Sequence, residues 1–205
     1  MMEKNNKHIG EQRFVEMRAV NDEEMIIEGY AITFERPATH SMGNFTLTET
    51  IKRGALDKAD MRDVPLRYNH DDSVMIMART RNNSLELIVD DVGLKIRAKL
   101  IDTKSNVDLY KSIKAGLIDK MSFAFTVAED GDKKTYSNDG ATMSRDIYAI
   151  DRIYDVSVVD MPFYDTTSVY ARSIELLESG NARLESLNLR KRKIITKSKI
   201  KEELT

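Results

Sequence analysis

Between residues 25 and 34 the chain sets Ile27, Gly29, Ala31 and Thr33 against Ile26, Glu28, Tyr30, Ile32 and Phe34, a strand-like run that Pro37 ends. A second run, Arg13–Ala19, precedes it, and Asn21-Asp22-Glu23 between them reads as a hairpin turn. Further short strands are predicted over Val64–Tyr68, Met75–Arg81, Ser84–Val89, Gly93–Leu100, Met121–Ala128, Arg145–Ile150 and Ile153–Val159. Asn82-Asn83 suits a tight turn, because Asn tolerates positive φ. Residues 38–60 read as a long loop with a short helical piece around Gly54-Ala55-Leu56, and Glu129–Gly140 as a polar insertion.

One helix is predicted inside this series, over Ser105–Ala115. Asp102, Thr103 and Ser105 are its candidate N-caps, Val107, Tyr110, Ile113 and Leu117 its apolar stripe, and Gly116 its terminator. Eight or nine strands with one internal helix predict a mainly β fold with helices (α+β), a β-barrel or sandwich with helical decoration. Beyond about residue 172 the pattern changes. Ile174, Leu177, Leu184 and Leu187 can line one helix face, interrupted near Gly180-Asn181, and a lysine-rich stretch follows. The expected organisation is a flexible N-terminus over 1–12, a domain over 13–172, and a helical or disordered basic tail over 173–205. The tail stripe fits equally a helix that completes the core.

Composition narrows the chemistry. With 205 residues, 41% hydrophobic and 32% charged, the chain suits one soluble globular domain. It has no apolar run long enough to span a bilayer and no apolar stretch near its N-terminus, which points to a cytosol. Absence of cysteine removes disulfides, thiolate metal sites and cysteine nucleophiles together. The three histidines, His8, His40 and His70, show no metal-ligand spacing, so neither a metal nor a cofactor is implied. The net charge of −2 hides a division: residues 190–205 carry seven Lys/Arg against two Glu, so residues 1–189 carry −7. An acidic body argues against nucleic acid as the partner.

Three residues offer acyl-transfer chemistry. His70 ends a strand in Tyr68-Asn69-His70-Asp71-Asp72, Ser122 begins one in Met121-Ser122-Phe123-Ala124-Phe125, and Asp155 sits within an apolar one in Tyr154-Asp155-Val156-Ser157-Val158-Val159. A hydroxyl, an imidazole to take its proton and a group that fixes the imidazole tautomer are what such a reaction needs. Taken singly, each has an ordinary explanation as a surface, filler or outward-pointing residue. Alternation puts Asp155 on the face of Ile153 and Ser157.

The order of these strings resembles the prohead maturation protease family of tailed phages. The resemblance runs from Gly29-Tyr30-Ala31 to Ala171-Arg172, about 140 of the 205 residues. Glu28–Phe34 and Glu49–Leu56 resemble the N-terminal signature, Asn69-His70-Asp71 the histidine motif, and Met121–Phe125 the serine motif. Tyr154–Val159 with Pro162 resembles the C-terminal block. The family is similar to herpesvirus assemblin in its His-then-Ser order. The resemblance implies an assemblin-like barrel, closed or partly open, and a serine endopeptidase acting inside the assembling prohead in the host cytoplasm. Its implied substrate is the scaffold or the scaffolding segment of the major capsid protein, with self-cleavage that removes the tail and a dimer or higher oligomer as a way to order the site. Ser122 is the implied nucleophile, His70 the base and Asp155 the third member, with Asp71 and Asp72 competing for that place. Two departures stand out: Ala124 where the family often has Gly, and Asp160-Met161-Pro162-Phe163 where assemblin has paired arginines, which leaves the oxyanion hole unassigned. A capsid-assembly protein that kept the fold and lost the chemistry is the alternative.

Overall fold

The computed structural model describes residues 17–21, 23–160 and 182–189. Among the described residues, twelve strands form three open sheets of four strands each. In the first, Arg18–Asn21 (β1), Ile26–Thr33 (β2), Gly93–Lys99 (β8) and Leu85–Val89 (β7) run antiparallel in that order. The second runs Asp132–Tyr136 (β10), Thr142–Ile147 (β11), Phe45–Ile51 (β4), Ala38–Met42 (β3), with β11 and β4 parallel. The third runs Ala78–Arg79 (β6), Pro65–Tyr68 (β5), Ile150–Val159 (β12), Lys120–Val127 (β9). Here β12 pairs with β5 in parallel on one side and with β9 antiparallel on the other. No helix among the described residues is long and apolar enough to cross a membrane.

The mainly β character agrees with the sequence reading; the single barrel does not. Among the described residues each sheet ends in two edge strands and none closes on itself. The reason lies in the two segments read as loop and insertion. Residues 38–60 contain β3 and β4, and residues 129–140 contain β10, and these strands recruit β11 into a separate sheet. Phe45-Thr-Leu-Thr-Glu-Thr-Ile51 alternates buried and half-buried positions along its whole length. Its period of two is disguised because one inward position is Glu49.

Glu49 is tolerated inside because Arg145 lies directly across the parallel pair, with Nη1 2.8 Å from Glu49 Oε1. Arg145 Nε also pairs with Asp132 from the neighbouring strand. The triad divides the buried face of this sheet. Ile51 and Ile147 on one side join the main core; Phe45, Leu47 and Met143 on the other form a smaller cluster. The second helix, residues 182–189 (α2), reaches the turn between β10 and β11. A Cβ on Gly140 would lie 3.2 Å from Leu187 Cδ1 and 4.0 Å from Leu184 Cδ1, and Leu184 is buried. Arg183 stacks over the Tyr136 ring at 4.6 Å. That part of the predicted tail is therefore helical and packed; the 1–12 segment, the boundary at 172/173, Ile174 and Leu177 lie outside the described residues.

The main core is built between the first and third sheets and the helix Lys104–Lys114 (α1). Ile27, Ile32, Leu94 and Ile96 face Leu66, Met121, Val156 and Val158, all nearly or fully inaccessible. Of the three candidate caps, Thr103 is the one used: its hydroxyl accepts from Asn106 N at 3.3 Å. The buried face of α1 is Asn106, Leu109, Tyr110 and Ile113, a stripe rotated from the predicted one, and Leu117 is 75% exposed. Asn106 is accommodated because its side-chain amide donates to the carbonyls of Met77 and Ile101. The predicted strand Met75–Arg81 shrinks to β6 followed by a 3-10 turn at Thr80–Asn82, which Asn83 closes with φ +60°. The helical piece around Gly54 is a run of turns.

Arg145→Ala leaves Glu49 and Asp132 without their buried cation and should cost about 3–5 kcal/mol in urea unfolding. Gly93→Ala should also destabilise, by about 1–3 kcal/mol, because its Cβ would sit 1.9 Å from the Ile32 carbonyl oxygen on the paired strand. Acid should weaken the fold as well. The Arg79 guanidinium holds Asp63 below the ordinary 3.8. Burial pushes Asp90 up, but the Tyr30 hydroxyl and the amides of Gly93 and Val92 outweigh it and leave it below 3.8 too. Depressed carboxyls stabilise fully above their ordinary value and lose that contribution as pH falls through the folded one. The urea midpoint should therefore hold above about pH 5 and drop steadily below about pH 4.

Candidate active site

β5 leads into a turn in which Asp71 N donates to Tyr68 O at 3.0 Å. Its two central residues, Asn69 and His70, have φ of +51° and +55°, the sign pattern of a type I′ turn. Asn tolerates this region. A histidine there costs about 1–2 kcal/mol, so the surroundings have to hold it. Asn69 N donates to Val158 O at 2.9 Å, and Asn69 Oδ1 accepts from Asp160 N at 3.2 Å, which lashes the turn to the end of β12. His70 N donates to Ser157 Oγ at 3.2 Å. The ring then reaches along β12, and Nδ1 meets Asp155 Oδ1 at 2.6 Å. Both side chains are largely buried, 8% and 13% exposed.

Asp155 reaches this position through a bulge. The register of β12 against β9 shifts between Ile153 and Asp155. Ile153, opposite Phe125, stays in the main core, whereas Asp155, opposite Ala124, turns to the other face together with Ser157. Strict alternation would have kept Ile153 and Asp155 on one side. The bulge puts the carboxylate where the imidazole is.

Ser122 sits on β9 directly opposite Ser157. Cross-strand partners project to the same side with Cβ atoms about 4.5–5.5 Å apart, so Ser122 shares the face of Ser157 and Asp155. Arg67, opposite Ser157 on its other flank, completes a row Arg67–Ser157–Ser122 across three strands. His70 and Asp155 are thus in contact, and Ser122 lies one strand away on the same face. His70 Nε2 is buried and has no hydrogen-bond partner among the described residues, so no bond joins it to Ser122.

The other acids near His70 are engaged elsewhere. Asp71 Oδ1 accepts from the Ser73 hydroxyl and amide, both at 2.7 Å, and these bonds hold its carboxyl below the ordinary range. Asp72 pairs with Arg67 at 2.9 Å and is 90% exposed. Neither touches the imidazole. His40 lies on β3 in the second sheet, and His8 lies outside the described residues. Ala124, a departure from the family pattern, is the small residue facing Asp155 and is 2% exposed.

Sequence reasoning missed Ser157. Its hydroxyl accepts from His70 N and donates to Asp155 Oδ1 at 2.9 Å, and it is fully buried. The signal was available: a second polar residue two positions after Asp155 in an otherwise apolar strand shares its face. A neutral imidazole that donates from Nδ1 to a carboxylate presents the lone pair of Nε2. Such a nitrogen can take a proton from a hydroxyl brought to it.

No curated protein and no solved structure matches the chain. The profile of one protein family does, over residues 13–179, a stretch that holds the whole third sheet and every residue of this cluster. By that match the chain belongs to the caudovirus prohead serine protease family.

Proposed function

We propose that the protein is a prohead maturation endopeptidase that works through an acyl-enzyme on Ser122. The observation that carries this reading is the buried His70–Asp155 contact, with Nε2 unpartnered on the face that bears Ser122. Family membership sets the reaction class. In the proposed cycle His70 Nε2 removes the Ser122 hydroxyl proton as Oγ attacks the scissile carbonyl. The imidazolium then protonates the departing amine, which leaves Ser122 acylated. Water repeats the steps: His70 takes its proton, hydroxide oxygen adds to the acyl carbon, and Ser122 leaves with the proton restored. Asp155 keeps Nδ1 protonated and stabilises the imidazolium while it exists. Backbone N–H groups carry the oxyanion.

The substrate in this proposal is scaffold protein, or the scaffolding segment of the major capsid protein, cut inside the assembling prohead in the host cytoplasm, a reading that the family match supports. A dimer or higher oligomer ordering the site belongs to the same proposal. So does removal of residues beyond about 173 by self-cleavage. The packing of Leu184 against the domain means that such cleavage has to release α2 or leave it docked as a separate piece.

Co-expression with the cognate capsid or scaffold protein, read by intact mass, tests the reading. Wild type should give defined fragments and Ser122→Ala none, with its thermal midpoint unchanged; processing by Ser122→Ala would remove the assignment. Asp155→Asn should lower kcat by about 10⁴-fold, by analogy with orienting aspartates in other serine proteases. Asp71→Asn and Asp72→Asn should stay within about threefold of wild type, since a fold-change that small is under 1 kcal/mol of barrier. Mass analysis of the expressed wild-type chain reports the tail: an intact C-terminus in an active preparation counts against its removal.

A further inference from the structure

A serine at a fully buried strand position is costly unless both its hydrogen and its lone pairs are used. At Ser157 both are used, and both on the same two residues: Oγ accepts from the His70 amide at 3.2 Å and donates to Asp155 Oδ1 at 2.9 Å. The oxygen therefore ties the backbone of the base to the carboxylate that binds the ring of the base. His70 needs such a tie, because it sits at φ +55° in a turn with two successive left-handed residues other than glycine. Asp155 needs it as well, because the bulge that delivers it has interrupted the regular pairing of β12 with β9. Alanine would fit the position with one atom fewer and supply neither bond.

We propose that Ser157 is the positioning residue of this site, fixing the imidazole of His70 and the carboxylate of Asp155 relative to each other. The proposal rests on the reading of Ser122, His70 and Asp155 as the catalytic set. Ser157 does not touch substrate. It is fully buried, and its hydrogen is committed to Asp155, which also removes it as a rival to the half-buried Ser122. Without the hydroxyl, the His70 amide loses its acceptor and Asp155 Oδ1 loses one of two donors. The ring is then free to leave the orientation that its Nδ1 bond to Asp155 defines. That affects the chemical step and leaves substrate binding alone.

The test uses the full chain in three forms, wild type, Ser157→Ala and Ser157→Thr, on a peptide spanning a cleavage site mapped in the capsid or scaffold protein. Nitrogen NMR of histidine-labelled protein, with His70 assigned from His70→Gln, gives a readout independent of turnover. Ser157→Ala should lose about 10- to 100-fold in kcat, of the order of one or two hydrogen bonds, with KM within about twofold and the thermal midpoint near wild type. Its His70 signals should move from a single Nδ1–H tautomer toward an exchange average. Ser157→Thr keeps the hydroxyl and should recover kcat to within a few fold. If Ser157→Ala does not fold, Ser157→Cys, close in volume and a weak hydrogen-bonding group, is read against the same expectations. Wild-type kcat with unchanged His70 signals overturns the proposal, as does a loss confined to KM. Should Ser122→Ala cleave like wild type, the catalytic reading falls by itself. The His70 signals then decide about Ser157: unchanged signals in Ser157→Ala end the proposal and averaged ones sustain it.

Discussion

The position of the whole cluster depends on the burial of Val156 and Val158. Both are inaccessible to solvent, both point into the main core, and both lie on β12, which pairs with β5 on one side and β9 on the other. A slip of one residue in β12 would bring Asp155 and Ser157 into that core and expel the valines, so the hydrophobic face sets the register. The polar face inherits it. Asp155 and Ser157 are placed by the apolar residues between and beyond them, Ser122 by its pairing opposite Ser157, and His70 by a turn tied to Val158 O and Ser157 Oγ. A site assembled from three segments far apart in sequence is in this way referred to one strand.

Much of that strand frame was legible. Runs rich in aliphatic or aromatic residues, such as β2, β8, β9 and β12, announce themselves because both composition and period favour a half-buried pleat. What escaped was most of the second sheet, β3, β4 and β10, while β11 was read in part as Arg145–Ile150. β4 alternates Thr with buried residues but hides Glu49 among them, and β10 reads Asp-Lys-Lys-Thr-Tyr, a surface ribbon that exists because β11 pairs with it. A charge such as Glu49 becomes an inward residue only when a distant partner, Arg145, is known. The single barrel failed for the same reason: strands that were not counted drew β11 into a separate sheet.

The candidate site was legible as residue types in a familiar order, not as geometry. Period-two reasoning assigned Asp155 to the face of Ile153, and only a bulge separates the two. The choice among Asp155, Asp71 and Asp72 was open because adjacency in sequence says little about which carboxylate a left-handed histidine faces. Ser73 and Arg67 take up the two nearer acids. Turn handedness, bulges and side-chain partners depend on tertiary contacts, and one sequence does not display them.

The two buried polar clusters differ in a way that bears on what each is for. In the second sheet, Arg145 meets Glu49 on one side and Asp132 on the other, and none of these atoms is left without a partner. That is how a fold accommodates charge for its own stability. In the third sheet, Asp155, Ser157 and the backbone and Nδ1 of His70 satisfy one another, and the chain of bonds stops at a buried Nε2. A cluster selected for stability alone would gain about 1–3 kcal/mol by closing that last position. Leaving a ring nitrogen desolvated and unpaired costs the fold, and that cost supports the proposed role of His70 as a base whose partner arrives with the reaction.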